Sequence, residues 1–226
     1  MKLQMGNHGT SGLLITFCGL DGCGKTTQIN LLREALIDMS LPVICTKQPT
    51  NVVRESEMFR TFMDAENHDE YDYRALSLLC ASDRVQHSNK VIRPWLESGN
   101  IVISDRYFYC CLSNLRARGY TGDAWIYDVA RSIPAPDFSF FLDVPVEVSV
   151  ARVRSRPDER DRYIDMDLQY RLRDECLSIA KATNGIILNG EESLEYNHNK
   201  IMKLVRRQIN DSRQSKWSAD KIFLHG

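Results

Sequence analysis

The stretch LLITFCGLDGCGKTT, residues 13–27, decides the reading of this chain. Its first six residues are a short apolar run rich in strand formers, and an amphipathic pattern runs from Thr26 to about Met39. Glycines stand between the two, so the order is strand, turn, helix. Gly19-Leu20-Asp21-Gly22-Cys23-Gly24-Lys25-Thr26 satisfies G-x-x-x-x-G-K-S/T, the phosphate loop of nucleoside triphosphate binders. Glycines let such a loop turn its N–H groups onto phosphate oxygens, and the helix start adds the positive end of its dipole. Gly19, Gly22, Cys23 and Gly24 then wrap the phosphates of a nucleoside triphosphate with Thr27 following, Lys25 can reach the β- and γ-phosphates, and Thr26 can ligate Mg²⁺; GTPases, motor ATPases, small-molecule kinases and nucleotide kinases all stay open at this point. Asp21 is a carboxylate inside an anion-binding loop. It would repel phosphate unless it faces a hydroxyl or a cation, which puts an acceptor's sugar or the metal shell beside it.

Outward from this stretch, period and turn signals predict further strands over 43–46, 101–104, 138–144 and 185–188. Helical patterns cover 52–65, 71–97, 123–132, 146–154, 165–182 and 193–210, the second interrupted near Pro94. Alternation of this kind predicts an α/β fold with a parallel sheet covered on both faces. At 226 residues and 43% hydrophobic content one core is affordable without staples, since about 70% of the unfolded surface is buried at this size. One domain over 13–213 is expected, with a polar N-terminal tail over 1–12 and a C-terminal tail over 214–226 that has lost periodicity.

Charge is balanced, 29 Lys and Arg against 30 Asp and Glu, which argues against holding nucleic acid or an anionic membrane by bulk electrostatics and leaves room only for a local basic patch. Any anion is therefore met locally. The seven cysteines are odd in number and show no repeated CxxC spacing, which argues against disulfides and zinc, and the five histidines show no ligand spacing. Neither a signal peptide nor a membrane span is visible, so a cytoplasmic protein is expected.

Strand 101–104 runs into Asp105-Arg106-Tyr107, delivering an acid and a base to its carboxyl end, the edge where open α/β sheets bind ligands. Arg106 is placed to fork onto an acceptor phosphate, and Asp105 to hold a metal-bound water or orient arginines. Arg152, Arg154, Arg156, Arg160 and Arg162 crowd a stretch interleaved with Pro157, Asp158, Glu159 and Asp161, the pattern of a mobile lid over about 155–164. Arginines closing over a transferring phosphoryl group stabilise its equatorial oxygens and exclude water. No dedicated general base is visible. A phosphate monoester acceptor needs none, because with a second pKa of about 6 it is largely dianionic at neutral pH.

These residues coincide with a known family. FCGLDGCGKTTQ (17–28), ASDRVQH (81–87), SDRY (104–107), Pro136-Asp137 with FFLDVPVEVSVARVRSR (140–156), and Asp161-Arg162-Tyr163 occur in the order found in thymidylate kinases, and the chain resembles that family over about 13–210. The resemblance implies a P-loop NTPase fold with five parallel strands and a lid, ATP with Mg²⁺ as donor, dTMP as acceptor, and a homodimer formed by helix packing. It assigns Lys25 and Thr26 to ATP, Asp21 to the acceptor sugar and catalytic centre, Arg106 to the acceptor phosphate and Arg84 to the acceptor base. Arg154, Arg156 and Arg160 fill the lid, similar to family members that carry their arginines there and not in the loop, where this chain has Cys23.

Departures from the family gather where the base should sit. Members often place an aromatic ring four residues before the matching arginine, and here that position is Cys80. Cys110, Cys111 and Asn114 stand where a serine, an amide and a tyrosine are typical, and Lys47-Gln48-Pro49-Thr50 keeps only a cation and the proline of Arg-Glu-Pro-Gly. Three readings stay open: a divergent thymidylate kinase, a paralogue acting on another nucleoside monophosphate or phosphorylated small molecule, and an ATP-binding protein without catalysis.

Overall fold

The computed structural model describes residues 1–64 and 70–223, with 64 and 212–223 as backbone path only. Strand β1 (Leu13–Cys18) lies at the centre of a five-stranded sheet with β2 (Val43–Lys47), β3 (Ile101–Asp105), β4 (Phe138–Asp143) and β5 (Ile186–Asn189), in the order β2-β3-β1-β4-β5. Every pairing is parallel; Leu13 opposes Ile101 on one side of β1, and Ile15 opposes Phe138 on the other. All of β1 and most of β3 are buried, because a central parallel strand is covered on both faces and needs apolar residues throughout.

Alternate residues of β1 feed two cores. Leu13, Ile15 and Phe17 face Ile29, Leu32 and Leu36 of α1 (Lys25–Asp38) and Ile201, Met202 and Val205 of α10 (Leu194–Phe223). Leu14 and Cys18 point the other way, into a core shared by α4 (Tyr73–His87), α5 (Arg93–Glu97), α6 (Phe108–Ala117), α7 (Trp125–Ala130) and α9 (Met166–Ala182). The short helices α2 (Asn51–Arg54) and α3 (Glu57–Asp64) follow β2, and α8 (Val146–Arg154) leads to a 3-10 turn at Pro157–Glu159.

Five findings refine the sequence reading. The pattern over 71–97 divides into α4, a π-helical turn at Ser88–Ile92 and α5, because Pro94 in the first turn of α5 has no N–H to continue the ladder. The pattern over 52–65 divides at Ser56, whose hydroxyl donates to the Val53 carbonyl (2.7 Å) and accepts from the Phe59 N–H (3.3 Å); Ala65 lies outside the described residues. Helix α6 has no counterpart among the predicted helices. Eight of its ten residues are buried, so it carries no polar face and no amphipathic period to read.

Helix α10 runs past residue 210, its predicted end, to Phe223. At the other terminus, residues 1–12 are docked: Gly6 exchanges main-chain hydrogen bonds with Ile133 (2.9 Å) and Ala135 (2.6 Å), and Leu3 and Met5 pack on the core. All seven cysteines are free. Among the described residues no helix is long and apolar enough to cross a membrane, and no three His, Cys, Asp or Glu side chains cluster to hold a metal; His68 and His225 lie outside those residues.

Phe140 is fully buried in β4, 5.3 Å from the Phe17 ring and stacked at 5.9 Å on Phe138. Phe140→Ala is expected to destabilise the chain by about 3–5 kcal/mol, read as a lowered urea midpoint at unchanged slope.

Candidate active site

The carboxyl ends of β1 and β3 deliver the site, since the sheet is parallel and its loops emerge on one edge. After β1 the chain turns through Gly22 and Gly24, with φ of 82° and 100°. A Cβ on Gly22 would stand 2.3 Å from the Ser149 carbonyl oxygen, so helix α8 presses directly on the loop and only glycine fits. Gly24 caps α1 in the left-handed region with no side-chain cap, which leaves the N–H groups of the first turn facing the cleft without a competing side-chain acceptor. Lys25 is 6% exposed, its Nζ donating to the carbonyls of Gly19 (3.1 Å) and Leu20 (2.7 Å) inside the loop.

Asp21 and Arg106 join the two strand ends. A guanidinium N–H of Arg106 donates to Asp21 Oδ1, and Arg162 from the lid lies 3.5 Å from Asp21 Oδ2. Arg106 has φ 65°, a left-handed conformation uncommon outside glycine, fixed by its N–H donating to the Phe17 carbonyl (2.9 Å) and by its own carbonyl accepting from Ser104 Oγ (2.7 Å). The Arg106 guanidinium, with Lys25 and Arg162 behind it, holds the Asp21 carboxyl well below the usual carboxylate range despite its burial. In return Asp21 holds Arg106 firmly protonated.

Two cavities flank this pair. A cleft of about 420 Å³ is lined by Gly22, Cys23, Gly24, Lys25, Thr26, Thr27 and Asp105. A larger cavity of about 1110 Å³ is lined by Gly19, Pro49, Cys80, Arg84, Cys111 and Asn114 among others. Asp21, Lys47, Arg106 and Arg156 line both, so the cavities meet at one acid and three cations.

Lys47 sits 3.7 Å from Asp105, with burial and then Arg54 lowering its pKa. Arg84 is 3% exposed, its guanidinium donating to the Cys80 carbonyl (2.9 Å) and the Tyr107 carbonyl (3.4 Å). Burial pushes the Cys111 thiol up to about 12 and raises that of Cys80, so both are neutral, small walls of the cavity at neutral pH. The amide of Asn114 is engaged at both ends: Nδ2 donates to the Cys110 carbonyl (2.8 Å), and Oδ1 accepts from Arg118 (3.0 Å).

Of the lid arginines, Arg156 lines both cavities, whereas Arg154 and Arg160 are exposed and line neither. Arg152 lines the smaller cleft and reaches the Gly22 carbonyl at 3.5 Å, and Arg162 is fixed by Glu159 at 2.8 Å as well as by Asp21. The repeated Asp-Arg-Tyr at 161–163 was the signal for Arg162. Arg54 and Arg118, which line the larger cavity, carry no motif; helix α2 and the end of the buried α6 bring them there.

The donors of the smaller cleft fit a hard cation such as Mg²⁺. Thr26 and Asp105 both line it with oxygen ligands, and Asp105 Oδ1 is buried without a hydrogen-bond partner. Two protein oxygens rather than a full cage suit an ion that keeps waters and takes its remaining ligands from phosphates.

A family model for thymidylate kinase matches residues 17–201. The chain is 35% identical over 205 residues to the "Probable thymidylate kinase" of Thermococcus kodakarensis, covering 88% of this chain and 100% of that protein. It is 34% identical over 204 residues to the "Probable thymidylate kinase" of Pyrococcus abyssi, covering 88% and 98%. With the "Thymidylate kinase" of Prochlorococcus marinus (strain NATL1A) identity is 38% over 160 residues, covering 66% and 74%. A five-stranded parallel sheet, a phosphate loop on its central strand and these matches across most of the length agree: the chain belongs to the thymidylate kinase family, and it is a phosphotransferase acting on a nucleoside monophosphate.

Proposed function

We propose that this chain transfers the γ-phosphoryl group of ATP to the phosphate of dTMP, giving dTDP, in the cytoplasm. The observation that carries the reading is the meeting of the two cavities at Asp21, Lys47, Arg106 and Arg156, which suits a donor phosphate on one side and an acceptor phosphate on the other. Lys25 and the loop N–H groups hold the β- and γ-phosphates in the smaller cleft. Thr26 and Asp105 would hold Mg²⁺, which would supply neutralising charge to the phosphates.

Arg106, oriented by Asp21, grips the acceptor phosphate with Lys47 beside it, and Arg84 and Pro49 line the acceptor's own cavity with Cys80, Cys111 and Asn114. The acceptor dianion attacks without a base. Arg156, in contact with both cavities, meets the charge on the moving phosphoryl group, and closure of the lid keeps water from taking the acceptor's place. Asp21 thus acts through Arg106 as well as toward the acceptor sugar. A homodimer is proposed with this function on the strength of the family resemblance; sedimentation equilibrium at micromolar protein should give twice the chain mass.

Lys25→Ala should lower kcat by about a hundredfold or more with the melting temperature little changed, as expected for loss of a charge placed against the transition state. Arg106→Ala should mainly raise the KM for dTMP, again by about a hundredfold, and leave the KM for ATP within about threefold. An unchanged dTMP KM would remove Arg106 from the acceptor site. ADP release with ATP, Mg²⁺ and dTMP measures both, and turnover of another monophosphate instead of dTMP would overturn the acceptor assignment.

Acid should also act through Asp21. Its folded pKa is depressed, so the stability it contributes is complete above the unfolded value of about 3.9 and is lost as pH falls through the lower folded value. With the side chain 38% exposed, the gap in unfolding free energy between the protein and Asp21→Asn is expected to be about 1 kcal/mol or less at pH 7, closing below about pH 4. A gap independent of pH would show that the ion pair contributes nothing to stability.

A further inference from the structure

Resting on the reading of the larger cavity as the acceptor site, we infer that the acceptor's base is held against the guanidinium plane of Arg118, backed by the Tyr73 ring. This plate stands in for the aromatic ring that the chain lacks at Cys80.

Arg118 is the residue that caps the C-terminus of α6. Its guanidinium carbon stands 3.8 Å from the Tyr73 ring centroid, and Nη1 donates to both oxygens of Asn114, the side-chain amide at 3.0 Å and the main chain at 3.2 Å. Asn114 is therefore a bracket for Arg118, with one amide N–H and one oxygen lone pair engaged within its own helix end.

Tyr73 is held in turn. Phe62 meets it edge-on at 5.1 Å, Tyr120 lies nearly parallel at 6.5 Å and 12°, and Arg74, paired with Asp123 at 2.8 Å, covers Tyr120 at 4.2 Å. Each of the two nearly parallel rings thus carries one cation against it. Among the described residues no carboxylate lies within ion-pair distance of Arg118, so its charge is met by π-electrons and by Asn114. A planar, weakly hydrated cation in that setting keeps one face suited to a second π-system.

Position in the cavity selects the base over the phosphate as its partner. Arg118, Tyr73, Cys80 and Cys111 line the larger cavity alone, whereas the residues common to both cavities mark where phosphates meet. The walls near the plate are small: Cys80 and Cys111 carry neutral thiols, and Ser77 is buried with its Oγ unpartnered. Small walls leave room for a planar ring but supply no face to stack on. Arg118 supplies one, and every nucleobase can use it.

The test uses the full chain with ATP, Mg²⁺ and dTMP, and ribose 5-phosphate as a competing phosphate without a base. Arg118→Lys keeps the charge and removes the plane; Arg118→Ala removes both. Both should raise the KM for dTMP about tenfold or more, while the KM for ATP and the inhibition constant of ribose 5-phosphate stay within about twofold. An Arg118→Lys variant with the dTMP KM of the parent would overturn the inference, as would equal weakening of dTMP and ribose 5-phosphate. Should these variants not fold, Tyr73→Leu removes only the backing ring and should raise the dTMP KM by about threefold or more, no rise overturning the plate. The parent protein is the separate arm: failure to turn over dTMP at all would refute the acceptor reading, and the plate with it.

Discussion

The ion pair between Asp21 and Arg106 is the constraint on which the site depends. It ties the loop after β1 to the end of β3, neighbours in the sheet whose residues are separated by most of a hundred positions in the chain. Without a bound anion nearby, a loop full of inward N–H groups with a lysine, facing three more cations, is a concentration of positive charge; one carboxylate held ionised makes it tolerable. The same carboxylate sets the direction of Arg106, whose left-handed backbone already commits the side chain to this edge of the sheet.

The two faces of the sheet then have different tasks. The α1 and α10 face packs Leu, Ile and Val against β1 and β3 and holds the phosphate loop rigid from beneath. The opposite face is rich in cysteine and tyrosine, and its helices α4, α6 and α9 surround the larger cavity. Packing density on the first side gives the loop its fixed shape, while small and polarizable residues on the second leave space between helices.

Most of the sheet and the phosphate loop were legible in the sequence, because a buried parallel strand, a glycine turn and an amphipathic helix each leave a local pattern. Arg84 and Arg106, which line the larger cavity, both stand in short motifs. Helix α6 was not legible, since a helix with eight of ten residues buried loses the period that would reveal it, and Arg118 at its end carries no motif of its own. The lid arginines illustrate the other limit. Their clustering was visible, but which of Arg152, Arg154, Arg156, Arg160 and Arg162 faces inward depends on the turn at Pro157–Glu159 and on Glu159, which composition does not resolve. Asn114, placed at the acceptor by resemblance, lines the larger cavity, and its Nδ2 also donates to the Cys110 carbonyl of its own helix, a contact no motif shows.

The burial of α6 has a consequence for how such a protein can change. Eight of its ten positions are locked by packing on both sides, so drift there is limited to residues of similar volume. The residue just beyond its last turn, Arg118, is half-buried and adjoins a glycine at φ 91°, where the chain is released. Variation that a lineage tolerates is therefore concentrated at the rim of the helix, next to the cavity, and not along its length. An acceptor preference written at such a rim can be exchanged in one step without reopening the core, whereas one written on the helix body would have to be inherited with it.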